Sequence, residues 1–193
     1  MRLTAFIPSK QNSKRLPNKN YRPFFGKAMY LWPYEEAEKA EIFDCIFLSN
    51  QANRPPELCK DGAKVEDVLK YHLEHKDFDA DYICVIYPCA YGIRAEDIIK
   101  GFLQMIRNNR EYCYSIGMVN SNAMDQTIDN GGFYWVKKEA FLRDVTFINK
   151  DAVKYETYQV DINTIEDFME AKLDVYKKYR KRFIKECGAC QSI

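Results

Sequence analysis

The chain has 193 residues, with 29 Lys and Arg against 28 Asp and Glu, so its formal charge is only +1. That balance excludes a global field that would draw it onto nucleic acid or a membrane surface, and any charged ligand must be met by a local cluster. A hydrophobic fraction of 47% with 14 Tyr and 12 Phe suits one aromatic-rich core, expected as a single domain over 1–183 with a flexible tail over 184–193.

In chain order, residues 3–8 read as a first buried strand rather than a signal peptide, whose apolar stretch is longer. Residues 9–20 follow as a polar, basic loop. A helix is expected from Met29 to Ala40, with its true start near Pro33, because proline suits a first helical turn. Cys45-Ile46-Phe47-Leu48 is a short buried strand, and Pro55-Pro56 interrupts regular structure after it. Val65, Val68, Leu69 and Leu73 form a helical stripe, 82–87 a further buried strand, and Ile98, Ile99, Phe102, Met105 and Ile106 a helix facing the sheet. Strands are expected at 112–118 and 133–136. A last helix spans about 164–182, with Ile165, Phe168, Met169, Leu173 and Tyr176 on its packed face. Strands alternating with helices imply βαβ crossovers and a mostly parallel, three-layer Rossmann-like α/β sheet. Such sheets bind ligands at the carboxyl ends of their strands, which directs attention to the loops after Pro8, Leu48 and Tyr87.

No apolar run approaches the ~20 residues of a membrane helix, and the expected location is the cytoplasm. The seven cysteines are scattered, as expected of reduced, mostly buried thiols. Cys187 and Cys190 form one C-x-x-C without the second pair a zinc site needs, and a frayed terminus is the simpler reading. His72 and His75, three apart, read as a solvated pair on a polar helix end.

The segment Ser9-Lys10-Gln11-Asn12-Ser13-Lys14-Arg15-Leu16-Pro17-Asn18-Lys19-Asn20 gathers Lys10, Lys14, Arg15 and Lys19 among small polar residues. Small residues let backbone N–H groups approach a phosphate, and cations neutralise charge that moves onto a leaving group. A solvated basic loop is the alternative, and the position directly after a buried strand favours the phosphate.

This run resembles the opening signature of the CMP-sialic acid synthetases and the related pseudaminic acid cytidylyltransferases, R-x-G-S-K-x-I/L-P-x-K-N followed by F-x-G-K-P. Here the chain has K-Q-N-S-K-R-L-P-N-K-N and then Phe25-Gly26-Lys27-Ala28. Three later blocks are similar to the pseudaminic branch in the same order. They are Ile86-Tyr87-Pro88-Cys89-Ala90-Tyr91-Gly92-Ile93-Arg94-Ala95-Glu96-Asp97, Asp129-Asn130-Gly131-Gly132-Phe133-Tyr134-Trp135, and Gln159-Val160-Asp161-Ile162-Asn163-Thr164-Ile165-Glu166-Asp167.

The resemblance implies a fold of the nucleotide-diphospho-sugar transferase type. It also implies attack of a nonulosonic acid hydroxyl on CTP, with pyrophosphate leaving. Lys10, Ser13, Lys14, Arg15, Lys19 and Asn20 then surround the triphosphate, with Lys14 and Lys19 catalytic beside Asp161. Tyr87 lines the nucleotide site, while Arg94, Tyr91, Asp129 and Tyr134 serve the acidic sugar. Asp161 and Asn163 fall on the family's D-x-D site for Mg²⁺, where Asn163 brings an oxygen but no charge. Structural readings stand beside these. Asp161 and Thr164 fit a helix cap, with Asp167 three residues after Thr164, Arg94 a pair with Glu96 or Asp97, Asp129 a turn, and Tyr87 and Tyr91 the core. Asp79-Ala80-Asp81 precedes its strand, at the wrong end for a metal site.

Departures are also legible. Lys10 replaces arginine and loses its planar fork; Gln11 and Asn12 replace glycines. Ser49-Asn50-Gln51-Ala52-Asn53 stands where the family has S-T-D-D. A helix and a strand use most of the stretch between Arg94 and Phe133, so the usual dimer arm is expected to be missing. A compact cytidylyltransferase for surface glycan assembly and a non-catalytic nucleotide- or sugar-binding relative are both compatible with these changes. A glycosyltransferase lacks its acidic pair at a strand's carboxyl end.

Overall fold

The computed structural model describes residues 1–187 apart from 12, 61, 122–123 and 159–160, and the side chains of 118–127 and 179–187 are likewise not described. Its elements are β1 (Leu3–Pro8), β2 (Pro23–Phe24), β3 (Lys27–Ala28), α1 (Leu31–Lys39), β4 (Cys45–Ser49), α2 (Val65–Glu74) and β5 (Tyr82–Ile86). They continue with α3 (Ala95–Arg107), β6 (Tyr112–Ser121), β7 (Met124–Lys137), α4 (Lys138–Asp144), β8 (Val153–Glu156) and α5 (Ile165–Cys187). Six strands form one sheet in the order β4-β1-β5-β7-β6-β8, and β2 and β3 make a separate small hairpin. β1 pairs in parallel with β4 and β5, and β6 with β8; only β7 runs against its neighbours. The sheet is therefore mostly parallel.

Period-2 alternation divides the strands between two cores. Leu3, Ala5 and Ile7 of β1, Cys84 and Ile86 of β5, and Phe133 and Trp135 of β7 face α1 and α3, together with Ile98, Phe102 and Met105. Phe6, Ile83, Val85, Tyr134 and Val136 face the opposite way, toward Val68, Leu69 and Leu73 of α2 and Phe141 of α4. This gives three layers. Each large apolar side chain fully buried in them contributes about 1.5–3 kcal/mol. The Trp135 indole N–H, buried in the middle, donates to Ile98 O at 2.9 Å.

A third core lies outside the sheet. Leu16 of the loop after β1, Phe24, Met29, Tyr91 and Ile162 pack with Phe168, Ala171 and Val175 of α5. The last helix thus clamps the basic loop onto the domain. Its packed face differs from the expected one. Ile165, Met169, Leu173 and Tyr176 are exposed, and only Phe168 of the expected stripe is buried. Two apolar stripes share this helix, and the one bearing the small Ala171 fits close against the loop. The helix also continues past Arg182 to Cys187, taking in the first residues assigned to the tail; Cys190 lies outside the described residues.

The sheet's second half is longer than expected. β6 and β7 pair from Tyr112↔Val136 to Ser121↔Met124, beyond the reach of β5 and β8. A two-stranded ribbon therefore extends from the end at which β1, β4 and β5 finish. α4 and β8 were not anticipated either. Among the described residues no helix is long and apolar enough to cross a membrane, and Cys45, Cys59, Cys84, Cys89 and Cys113 are not joined in disulfides.

Candidate active site

The loop after β1 is closed by its own polar groups. Leu16 is buried beneath it, Lys19 N–H donates to Leu16 O at 3.1 Å, and the Asn20 side-chain amide donates to Lys10 O at 2.9 Å. Tyr21 OH reaches Ser9 O at 3.3 Å. The loop faces the connection after β4 across a cleft of about 900 Å³, lined on one side by Gln11, Ser13, Lys14, Pro17 and Asn18. Gln51, Arg54, Pro56, Cys59 and Lys60 form the other wall. An adjoining depression of about 300 Å³ is lined by Lys10, Ser13, Lys14, Arg15, Lys19, Asn20 and Gly62. All four loop cations and both small polar candidates, Ser13 and Asn20, thus line one continuous region. Asn12 lies outside the described residues. Ser9 Oγ and Asn20 Oδ1 are buried without a hydrogen-bond partner among the described residues, and a ligand donor or water would satisfy them.

Lys19 joins this region to the chain's far end. Its ammonium donates to Ile162 O at 2.5 Å, across 143 positions of sequence, which sets it beside the Asp161–Asn163 segment. Asp161 is exposed, and its Oδ2 accepts the Asn163 side-chain amide at 2.6 Å. Helix capping falls to a different carboxylate. Asp167 accepts from the N–H groups of Asn163 and Thr164, both at 2.8 Å, and Thr164 Oγ1 accepts from Asp167 N–H at 3.2 Å. Those backbone donors hold the Asp167 carboxyl below its ordinary pKa. Asp161 is left for other work.

Among the described residues, no group of three or more His, Cys, Asp or Glu is arranged to hold a metal. One carboxylate beside a neutral amide still fits Mg²⁺ that arrives on phosphate oxygens, because Mg²⁺ takes one or two protein carboxylates and keeps its remaining ligands from phosphate and water. Asn163, as oriented, presents its nitrogen to Asp161; a turned amide would present oxygen.

The sugar-side candidates are set by a wide bulge. The β6–β7 register jumps from Tyr114↔Tyr134 to Ile116↔Asp129, leaving 130–133 on the longer strand. Buried Ser115 pins it: its hydroxyl donates to Asn130 Oδ1 at 2.7 Å and accepts from Gly132 and Phe133 N–H at 3.1 and 2.9 Å. Gly131 sits at φ +64°, where a Cβ would lie 3.6 Å from Asp161 Oδ1 and 3.7 Å from the Tyr87 ring. The bulge therefore brings Asp129, Asp161 and Tyr87 around one backbone turn. Tyr134 OH donates to the Asp129 carboxylate at 2.8 Å, and the Tyr87 and Tyr134 rings lie 5.2 Å apart. Burial, reinforced by Tyr87 and Asp129, raises the Tyr134 pKa and keeps the phenol protonated. Burial also raises the Tyr87 pKa, with Glu66 and Asp129 adding to it.

Arg94 and Tyr91 make their contacts with other elements. Arg94 begins α3, and its guanidinium pairs with Glu36 of α1 at 3.8 Å; Asp97 accepts its backbone N–H at 3.0 Å rather than its charge. Tyr91 is buried in the third core, its ring 5.2 Å from that of Phe24, and its hydroxyl has no hydrogen-bond partner among the described residues. Asp79 is held by Arg2 and Lys138, and Asp81 by the chain's first residues, at the sheet end opposite the cleft. His72 corrects the expectation of a solvated pair. It is fully buried, with its ring nitrogens bonded to Ser49 and Asp77, while His75 alone is exposed. The wall cations Arg54 and Lys60 escaped the sequence reading; an isolated arginine before Pro55-Pro56 was the available signal.

Comparison with known proteins bears on this arrangement. A bifunctional protein of Helicobacter pylori, pseudaminic acid cytidylyltransferase and UDP-2,4-diacetamido-2,4,6-trideoxy-beta-L-altropyranose hydrolase, is 27% identical over 133 residues, covering 60% of this chain and 26% of that protein. The chain thus spans about a quarter of that relative's length. The pseudaminic acid cytidylyltransferase of Campylobacter jejuni (serotype O:2) is 26% identical over 228 positions, covering 92% of this chain and 97% of that one. The structure of CMP:2-keto-3-deoxy-manno-octonic acid synthetase complexed with CTP matches the fold with a TM-score of 0.70 at 12% identity, over 92% of this chain and all of that one. A family model described as cytidylyltransferase matches residues 4–192. On that near-complete match, the chain belongs to the cytidylyltransferase family.

Proposed function

We propose that this protein transfers CMP from CTP to a nonulosonic acid of the pseudaminic or sialic type, for surface glycan assembly in the cytoplasm. The observation that carries the reading is the bond from Lys19 to Ile162 O. It joins the cationic cleft to Asp161 at one point of the molecule. In the reaction, an oxygen of the sugar's hydroxyl bonds to the α-phosphorus of CTP and the bond from that phosphorus to the bridging oxygen of the β-phosphate breaks. Pyrophosphate leaves, and the hydroxyl proton passes to water. Such chemistry depends on positioning and charge neutralisation more than on covalent help.

Lys10, Lys14, Arg15 and Lys19, with Ser13 and Asn20, hold the triphosphate, and Arg54 and Lys60 face it from the opposite wall. Asp161, with Asn163 beside it, holds Mg²⁺, which when bound neutralises charge on the phosphate oxygens. Tyr87 borders the nucleotide, and Asp129 faces the sugar across the bulge, its carboxylate held by the hydroxyl of buried Tyr134. Arg94, exposed at the start of α3, is assigned the substrate carboxylate in exchange for Glu36.

Purified protein supplied with CTP, Mg²⁺ and a panel of nonulosonic acids is expected to release pyrophosphate. No release from folded protein across the panel would contradict the assignment. A second reading, binding without turnover, is favoured by Asn163 standing where a second carboxylate would hold the metal. Its signature is saturable thermal stabilisation by CTP with no Mg²⁺-dependent release.

A further inference from the structure

Ser49, His72 and Asp77 form a chain of hydrogen bonds behind the cleft wall, buried at Ser49 and His72 and open to solvent at Asp77. Ser49 Oγ lies 2.7 Å from His72 Nε2, and His72 Nδ1 lies 2.5 Å from Asp77 Oδ2. Ser49 and His72 are fully buried. The spacing is that of a hydrolase triad, but the hydroxyl is sealed from solvent and already accepts a hydrogen bond from Arg54 Nε at 2.8 Å. A nucleophile needs an open approach, so a different role has to explain the set.

Donor accounting fixes the direction of the chain. Arg54 only donates, so Ser49 Oγ accepts from it, and among the described residues the acceptor that Ser49 Oγ meets for its own hydrogen is His72 Nε2. His72 must then be neutral, with its proton on Nδ1 and donated to Asp77. A second bond, from Arg54 Nη2 to Ser49 O at 2.6 Å, completes a two-point grip on the guanidinium. Ser49 O also accepts the Ser9 N–H at 2.7 Å, which ties the grip to the start of the basic loop.

We infer that Ser49, His72 and Asp77 are positioning residues that hold Arg54 on the cleft wall in the orientation that meets the nucleotide's phosphates, and that the hold requires neutral His72. The phosphate end of this inference rests on the function proposed above; the grip on Arg54 does not. Protonating His72 turns Nε2 into a donor facing Ser49 Oγ. The serine hydrogen then loses its acceptor, and a second positive charge arrives beside Arg54. The groups facing His72 are Asp77 from the segment after α2, Arg54 from the segment after β4, and His75 and Tyr71 on its own helix. The uncharged Phe6 and Phe47 rings lie 5.8 and 4.8 Å away. Burial lowers the His72 pKa below its ordinary value, Asp77 opposes this, and Arg54 and His75 add to the lowering.

The test pairs two readouts on the whole chain. In the first, CTP affinity is measured by calorimetry at pH 7.5 and 5.5 for the wild type and His72→Gln, which offers Ser49 an oxygen that does not titrate. Both share the titration of CTP itself, so their difference reports His72. The wild type should lose several-fold more affinity on acidification than the variant, less than the roughly tenfold that a histidine at its ordinary pKa would give one unit below it. In an Arg54→Ala background that difference should vanish. Equal losses in both proteins, or a difference that survives without Arg54, would overturn the relay. If His72→Gln does not fold, Ser49→Ala serves in its place and should weaken CTP binding at pH 7.5 only when Arg54 is present.

The second readout is the NMR signal of the Arg54 Nε–H group without nucleotide. It should exchange slowly with solvent and follow the His72 titration, and His72→Gln should abolish that pH response. A signal indifferent to both would overturn the relay, whatever CTP does. A signal that behaves as expected in a protein that does not bind CTP would uphold the grip and overturn the proposed function instead.

Discussion

Two carboxylates close in sequence illustrate how the structure separates chemistry from scaffolding. Asp161 and Asp167 flank the start of α5, and sequence alone allows either to cap it. Asp167 does so through two backbone N–H groups, whereas Asp161 is exposed beside the Lys19 segment. Replacing Asp161 by Asn is expected to abolish Mg²⁺-dependent pyrophosphate release while the unfolding midpoint stays put. Replacing Asp167 by Ala should instead cost about 1 kcal/mol of stability, the usual value of a lost cap, read by urea denaturation. The pH dependence follows in sign. The folded-state pKa of Asp167 is depressed, so the unfolded chain binds more protons in acid. Its contribution is complete above the ordinary carboxylate value of about 4 and is lost as pH falls through the lower folded value. Acid unfolding of the Asp167 variant should therefore be less steep in that window. Lys19→Ala should abolish release with a stability change of less than about 1 kcal/mol, since half-exposed loop positions seldom cost more.

The basic loop was legible because four cations after a buried strand make a pattern; Arg54 was not, because one arginine before two prolines makes none. His72 was misread for a related reason. A histidine on a helix looks polar in sequence, and only the fold shows that its face is turned into the core between Phe6 and Phe47.

Among elements, β7 does the most to assemble the candidate site. Sequence reading found its Phe133–Val136 end, where alternation is clean, and left Asp129 to Gly132 open as a turn. In the structure those residues form a bulge, held by Ser115 from the neighbouring strand, a contact that no local pattern announces. Gly132 marks how close that packing is. A Cβ there would stand 2.6 Å from both Ile93 Cδ1 and Ser115 Oγ. Gly132→Ala is expected to destabilise the fold by about 1–3 kcal/mol or more through overpacking, measured as a lowered thermal midpoint, and to impair nucleotide binding only in proportion to unfolding. α4 and β8 were invisible for want of length, since seven and four residues span only about two periods of a helix or a strand. In α5 the periodicity was real but doubled, and the face that packs was chosen by the loop it covers.

At the scale of the molecule, the crossovers place the ends of β1 and β4 side by side, so the loops that follow them become facing walls of one cleft. That much followed from the alternation of strands and helices. The reversed β7 and the ribbon beyond it did not, because antiparallel pairing inside a largely parallel sheet leaves no local signature. The ribbon occupies the stretch where a dimer arm was expected to be missing. The match to the Campylobacter jejuni relative runs over 228 positions, longer than this chain of 193 residues, so that relative carries segments this chain lacks. The proposed activity stands or falls on turnover by this shorter chain. The decisive measurement is Mg²⁺-dependent pyrophosphate release from CTP by the wild-type protein with pseudaminic-type and sialic-type acids. Release that needs both the acid and Mg²⁺, and disappears in Lys19→Ala and Asp161→Asn, is the predicted result. Folded protein that CTP stabilises but that releases no pyrophosphate with any of these acids would contradict it.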